Sequence, residues 1–373
     1  MASGAGKPRI AVVLVLDAMR ADYFDRFADV MPTLTRMRRE GASFPNAHVT
    51  SLPTVTGVGH ATIGTGSDPR FHGITVNNLF NTVTNKAQPA YDGLDPRELM
   101  VLTLADTWNI TTGGRAIIIG QGGAIRATAG LVGHGSCVIN GRKVIAASYA
   151  GNAGWETNPA CYTMSEALKP LNGKTVWDAA GGMWMGHDIA SPTKFRASAL
   201  FQKFEAEALL AVLNESAIGA DDVTDLVMVN MKGPDYTAHA YGPFSREIKE
   251  TLTELDRQVA RLLETLDRKA GPGRSVVAVT ADHGMPPEPA PGHRHYPEDI
   301  AALVHQKFDP AGKSLVQYYG DSANNQLYID TPRLRSLGHS LKDVAAFLES
   351  QEMFAAAFTE DEVWAAQTRL PLR

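Results

Sequence analysis

The chain has 373 residues, 44% of them hydrophobic and 20% charged, which is enough apolar material for one large α/β domain or about two domains. Its 35 basic and 40 acidic residues give a formal net charge of −5, and the basic ones are scattered. A nucleic-acid polymer or an anionic membrane surface is therefore not expected as the main partner.

Ile10 to Leu16 is a continuous apolar, β-branched run, the pattern of a parallel strand covered on both faces. It is too short to span a bilayer and lacks a small-residue cleavage site, so no membrane span is expected. The chain is expected to be cytoplasmic, or periplasmic or secreted with its leader removed; the sequence leaves both open. Asp17 follows at the carboxyl end of the strand, the edge at which open α/β sheets bind ligands. Pro32 to Arg39 reads as a short basic helix stopped by Gly41.

Asn46 to Asn78 then holds eight Thr or Ser, five Gly and three His. The stretch reads as too polar for a core and too rich in short hydroxyl side chains for an ordinary helix. Its expected use is to present a hydroxyl, with Gly57 and Gly59 letting the backbone approach a ligand.

Arg115 to Gly120 reads as a second strand. After Ala124, to about residue 159, few segments are periodic, and an irregular region or small insert is expected. Cys137 and Cys161 could bridge, but a chain this size does not need a disulfide, and unpaired thiols are the plainer expectation. Phe201 to Leu213 is helical by its spacing, and Asp225 to Met231 is a third buried strand, followed by Lys232-Gly-Pro-Asp235 and His239. Ser245 to Asp267 repeats apolar residues at three-to-four spacing, the strongest helix signal in the chain. Ser275 to Thr280 is a fourth strand, with Asp282-His283 just past it. Beyond Gly284 come a Pro-rich stretch (Pro286 to Pro297), a strand-like run (Asn325 to Ile329) and helices near Leu341 to Leu348 and Asp361 to Gln367. No internal repeat is present.

Three strand ends thus carry Asp17, Asp235 with His239, and Asp282 with His283. Taken singly, an Asp after a strand is a turn or capping residue; three in one chain point to a shared site. Carboxylate and imidazole suit zinc, and two ions roughly 4 Å apart clamp the attacking and leaving oxygens of an in-line displacement. A metal also lowers the pKa of a Thr hydroxyl enough to make it a nucleophile.

Val15-Leu-Asp-Ala-Met-Arg-Ala-Asp-Tyr23, the run from Pro53 to Gly66, His72-Gly-Ile, Asp235-Tyr-Thr-Ala-His-Ala-Tyr-Gly-Pro243 and Thr280-Ala-Asp-His-Gly284 together resemble the alkaline phosphatase superfamily. Within it they are similar to the threonine-nucleophile alkaline phosphatases and the type I phosphodiesterase/nucleotide pyrophosphatases. The resemblance runs in order through residues 9–285. It implies an α/β sandwich: a mostly parallel central sheet flanked by helices, with small inserted cap segments. The implied division is a core at 1–285, an insert or cap at 286–345 and a helical segment at 346–373, the core ending before the family's last segment. The resemblance further implies two zinc ions, one held by Asp17, Thr56, Asp282 and His283, the other by Asp235 and His239. Thr56, rather than Thr54, stands at the nucleophile, and Asn77 at the amide that meets a phosphoryl oxygen. His60 matches a motif position and is not expected to be a ligand.

Two departures stand out. Where the family's phosphomonoesterases carry a Lys and an Arg two apart, this chain reads Gln121-Gly122-Gly123. The family's third ligand to the Asp235/His239 zinc has no evident counterpart; His293, His295, His305 and His339 are the candidates. The expectation is a zinc-dependent hydrolase of small phosphoesters, forming a phospho-threonine and favouring diesters or nucleotide pyrophosphates. The alternatives are a broad alkaline phosphomonoesterase with substrate contacts from Lys232 or Arg126, and a metal-depleted or truncated non-catalytic relative. Oligomeric state is not legible in the sequence.

Overall fold

The computed structural model describes residues 6–137, 144–290, 294–312, 315–320 and 326–365. It divides into two compact units, residues 1–79 with 89–288 and residues 80–88 with 289–373.

In the first unit, the described residues form a seven-stranded sheet: β1 (Ile10–Leu16), β2 (Ile118–Gly122), β3 (Val144–Tyr149), β4 (Trp155–Glu156), β5 (Tyr162–Thr163), β6 (Asp225–Met231) and β7 (Ser275–Thr280). Its order is β7-β1-β6-β2-β3-β4, with β5 also paired to β3. Every pairing is parallel except β3 with β4. Helices cover both faces: α1 (Pro32–Glu40), α2 (Thr56–Thr65), α3 (Leu104–Thr111), α4 (Ile125–Val132), α5 (Ala199–Glu215), α6 (Gly233–Tyr241) and α7 (Arg246–Ala270). This is the mostly parallel, helix-flanked sheet expected from the sequence.

The period-two geometry of a strand sorts the central residues between two cores. Ile10, Val12, Leu14 and Leu16 of β1, with Val227, Val229 and Met231 of β6, pack against the apolar stripes of α5 and α7. Val15 of β1, with Leu226 and Met228 of β6, faces Leu131 and Val132 of α4. The continuous apolar runs in the sequence record this two-sided burial. β7 alternates half-buried and exposed positions, as suits the strand at the end of the sheet order.

α7 begins where Ser245 accepts a hydrogen bond from the Ile248 N–H, and stops at Gly271, whose φ of 91° only glycine adopts readily. Ile248, Leu252, Leu255, Val259, Leu262 and Leu266 are buried, whereas Leu263 is only partly so. Truncating one of these leucines to Ala costs about 2–5 kcal/mol.

Three expectations are corrected. The described residues of the stretch that follows Ala124 and runs to residue 159 are no irregular insert. They supply α4 and the central strand β3, whose Ala-Ala-Ser middle is too small and polar to read as a strand but fits close beneath α4. The Thr-rich stretch does contain a helix, α2, and most of it is buried. Its glycines are the reason, because a Cβ on Gly64 would strike the Gly130 backbone of α4 and one on Gly59 would lie 2.5 Å from the Asp282 carbonyl oxygen. Close helix packing, and not lack of structure, explains the composition. Lastly, Cys137 and Cys161 form a disulfide. The Ser136 N–H and hydroxyl both donate to the Cys161 carbonyl, holding the two segments side by side.

The second unit has its own core, with Val304, Phe308, Leu315, Leu334, Val344 and Leu348 packed together. Its strands Val316–Tyr318 and Tyr328–Ile329 pair antiparallel, and helices span Pro297–Phe308, Thr331–Ser336, Leu341–Glu349 and Glu360–Ala365. Two predicted boundaries, Asn325 and Gln367, lie outside the described residues. Among the described residues, no helix is long and apolar enough to cross a membrane.

Candidate active site

Asp17 follows β1, Asp282 follows β7, and Asp235 lies in α6 just after β6, so three adjacent strands deliver the three carboxylates to one edge. All three are buried. The Asp17 N–H continues the sheet by donating to the Met231 carbonyl at 3.0 Å. Ala18 then turns into the left-handed region at φ 56°, and its N–H donates to Asp282 Oδ1 at 3.1 Å. A non-glycine residue held there stores strain, which is characteristic of functional sites.

Thr56 is the first residue of α2, at the helix end where backbone N–H groups and the dipole favour an anion. Its Oγ1 lies 2.9 Å from Lys232 Nζ and 3.3 Å from His283 Nε2. Thr54, by contrast, is exposed. Asn77 reaches the same turn, accepting the Gly57 N–H on its Oδ1 at 2.8 Å. That bond fixes the amide orientation, so the site has its NH₂ group left to donate.

Do these residues fit a metal ion? His283 Nδ1 donates to the Gly284 carbonyl at 2.7 Å, which aims the Nε2 lone pair into the cluster. Nε2 lies 3.3 Å from Thr56 Oγ1, 3.3 Å from Asp282 Oδ2 and 3.6 Å from Asp17 Oδ1. Ligands about 2.0–2.1 Å from a tetrahedral zinc stand roughly 3.3 Å apart. Asp282 Oδ2 is moreover buried without a hydrogen-bond partner. His283 Nε2 is thus within ligand reach of Thr56, Asp282 and Asp17, while the three-ligand groups among the described residues are Asp17 with Asp235 and His283, and Asp17 with His60 and Asp282.

The second expected set fits less well. His239 Nε2 lies 3.5 Å from Asp235 Oδ1, but its side chain is 66% exposed. His293 lies outside the described residues. His295, His305 and His339 belong to the second unit. None of these falls in a three-ligand group among the described residues. The group that includes Asp235 takes Asp17 and His283, both already members of the first set.

His60 also lies within ligand reach of Asp17 and Asp282. Both its nitrogens are spent, however: Nδ1 donates to the Thr56 carbonyl at 2.9 Å, and Nε2 accepts from Asn230 Nδ2 at 2.9 Å. The same Asn230 amide donates to Asp17 Oδ2 at 2.8 Å. His60 and Asn230 thus brace the Asp17 and Thr56 side of the cluster, although His60 also forms a candidate three-ligand group with Asp17 and Asp282.

The group most underestimated in the sequence is Lys232. Its buried ammonium contacts Asp17 Oδ1 at 2.8 Å, Asp235 Oδ2 at 2.6 Å and Thr56 Oγ1 at 2.9 Å. Burial works against its charge, but Asp17 and Asp235 outweigh burial and hold its pKa above the ordinary lysine range. In return, burial tends to raise Asp235, and Lys232 with His239 drives it well below the usual carboxylate range. Asp17 is pushed upward by burial and by Asp282 across the cluster. Glu205 was also missed, being hidden in the apolar stripe of α5. It accepts the backbone N–H groups of Lys232 at 3.1 Å and Gly233 at 2.9 Å, and burial pushes its carboxyl up to about 8. A legible signal for Lys232 was its place directly after a buried strand and three residues before Asp235.

Gln121 and Gly123 are inside the protein. Gln121 is buried in β2 and donates its amide to the Glu205 carbonyl at 2.7 Å. A Cβ on Gly123 would lie 2.5 Å from Lys232 Cβ and 2.9 Å from Glu205 Oε2. A depression of about 530 Å³ lined by Lys7, Trp108, Arg115 and Asp222 lies instead at the amino ends of the strands, away from this chemistry.

Known proteins share this arrangement of elements. The family profile of type I phosphodiesterases / nucleotide pyrophosphatases matches residues 11–361. The alkaline phosphatase PafA of Elizabethkingia meningoseptica is 26% identical over 98% of this chain and 78% of its own. Venom phosphodiesterase 2 of Crotalus adamanteus is 24% identical over 74% of this chain and 26% of its own. The crystal structure of PafA superposes with a TM-score of 0.82 at 22% identity, covering 99% of this chain and 82% of that one.

Proposed function

Because the chain belongs to the type I phosphodiesterase/nucleotide pyrophosphatase family, whose members are phosphoric ester hydrolases, we propose that it cleaves phosphodiester or nucleotide pyrophosphate bonds through a phospho-threonine on Thr56. The observation that carries this reading is the placing of the buried Thr56 hydroxyl between the Lys232 ammonium and the His283 imidazole at the amino end of a helix.

A zinc ion held by Asp17, Thr56, Asp282 and His283 would lower the hydroxyl pKa and offset charge on the phosphoryl group. With its proton lost to solvent, the Thr56 oxygen attacks phosphorus in line, the P–O bond to the leaving group breaks, and that oxygen departs with the bonding pair and takes a proton from water. Lys232 donates to Thr56 Oγ1, and the Asn77 NH₂ with the free N–H groups of α2 meets the negative phosphoryl oxygens. Water then attacks the phospho-threonine and releases the phosphoryl product, returning the hydroxyl. His60 and Asn230 keep the carboxylates oriented through both steps.

Diester preference follows from charge. A monoester dianion needs more positive charge around its outer oxygens than a diester monoanion, and Gln121 and Gly123 supply none. A broad monoesterase is the second reading, favoured by one observation: Arg126 has a buried Nε without a hydrogen-bond partner, a donor that an extra phosphate charge would use. Steady-state kcat/KM of the zinc-loaded protein on paired aryl diester and aryl monoester substrates decides between them. A wide preference for the monoester would defeat the first. The Cys137–Cys161 disulfide also favours an oxidising compartment over the cytoplasm.

A further inference from the structure

We propose that the Lys232 ammonium is a built-in cation standing where a second metal ion would stand, so that the protein holds one ion rather than two. The inference deepens the hydrolase reading and rests on its metal. An ammonium has three protons to give, and all three have partners here: Asp17 Oδ1, Asp235 Oδ2 and Thr56 Oγ1, at 2.8, 2.6 and 2.9 Å. These three oxygens come from both expected ligand sets and from the nucleophile, the atoms that a second ion would draw together. A metal ion bridging Asp17 Oδ1 and Asp235 Oδ2 would need the space that Nζ fills, whereas Asp235 Oδ1 stays buried without a hydrogen-bond partner, 3.9 Å from His283 Nε2.

The surroundings are built around this side chain. Its stem runs past Gly123, where a Cβ would come within 2.5 Å of its own Cβ, so the glycine and the lysine are matched. Glu205 clamps the backbone at Lys232 and Gly233, and the Tyr236 ring faces the ammonium at 5.3 Å. The rest of the second ligand set is loose, with His239 largely exposed and no third ligand of its own among the described residues.

The two departures in the sequence then have one cause. The side chain that displaces an ion also fills the space that a residue at position 123 would need. One ion with an ammonium carries one positive charge fewer than two ions, which favours a substrate monoanion.

The test is an ion count. Zinc-loaded wild-type protein, stripped of loose metal and assayed by mass spectrometry of the dissolved metal, should hold one zinc per chain. Lys232→Ala should hold two, and Lys232→Ala with Asp235→Asn should return to one. Should the lysine variants fail to fold, titrating wild-type apo-protein with cobalt still decides, because its visible absorption should saturate at one equivalent. Two tight ions in the wild type, with phosphoester cleavage intact, would overturn the inference and spare the hydrolase reading. One tight ion without any phosphoester cleavage would do the reverse, and no ion in either protein would overturn both.

Discussion

Replacing Gly123 with Ala tests the site without touching a proposed ligand. The added methyl would lie 2.5 Å from Lys232 Cβ, 2.9 Å from Glu205 Oε2 and 3.1 Å from Phe201 Cζ. Carbon atoms pack best about 3.5–4.0 Å apart, so the lysine stem has to retreat by roughly 1 Å. Overpacking of this kind costs about 1–3 kcal/mol of stability. The displacement is passed to Nζ, whose bonds to Asp17, Asp235 and Thr56 are 2.6–2.9 Å long with little slack. A shift of about 1 Å in a reacting constellation lowers rates roughly 100-fold, and kcat/KM on an aryl diester should fall by that order. Gly151→Ala is the control, since nothing lies within 4 Å of its would-be Cβ, and it should match the wild type in Tm and rate. A Gly123→Ala protein with wild-type Tm and kcat/KM would refute the placement of Lys232. The same crowding denies an arginine to position 123, so a monoesterase cannot be made by that substitution alone.

Thr56→Ala should lower kcat by several orders of magnitude and Thr54→Ala only modestly, since Thr54 is exposed; the reverse order in steady-state assays would sink the assignment of the nucleophile. Glu205 should make stability fall as pH rises. Burial lifts its carboxyl to about 8, so the folded chain prefers the protonated form; that contribution is whole below the ordinary glutamate range and lost as pH climbs through 8. The Tm of the wild type should therefore drop more steeply between pH 6 and 9 than that of Glu205→Gln, and parallel profiles would count against it. The disulfide closes a separation of 24 residues, worth about 3 kcal/mol by chain entropy. Cys137→Ser or added reductant should lower Tm by roughly 4–5 °C in calorimetry, and an unchanged Tm with two titratable thiols would show that the bridge does not form.

The sequence displayed the parts of this fold whose burial is extreme. β1 and β6 were legible to the residue, because strands buried in a parallel sheet need unbroken apolar side chains; β7, half-buried at the end of the sheet order, was legible from its β-branched run alone. α7 was legible because one face meets the core over 25 residues. What stayed hidden was governed by close approach rather than hydrophobicity. Gly64 and Gly130 look like flexible loop residues until two helices are seen to touch there, and Ala146 and Ala147 do not announce a central strand. The candidate site divides the same way. Asp17, Asp282 and His283 could be picked out because they follow strands directly. Lys232 could be seen but not interpreted, since a lysine beside a strand end is ordinarily solvated. Only the fold reveals that its ammonium is enclosed by three oxygens.

The order of the strands sets a scale for this chemistry. β7, β1 and β6 are neighbours, and each delivers one of the three aspartates. Strands in a sheet stand about 4.8 Å apart because backbone hydrogen bonds fix that distance whatever the side chains. The sheet edge is thus a ruler made of polymer, and the functional groups are marks read off it. A ruler of this sort does not lengthen when core residues are exchanged, which is how a chain with 22% identity to PafA can superpose on it at a TM-score of 0.82. Substitution can change what stands at each mark far more easily than it can move the marks. An ammonium at the place of an ion is a change of the first kind.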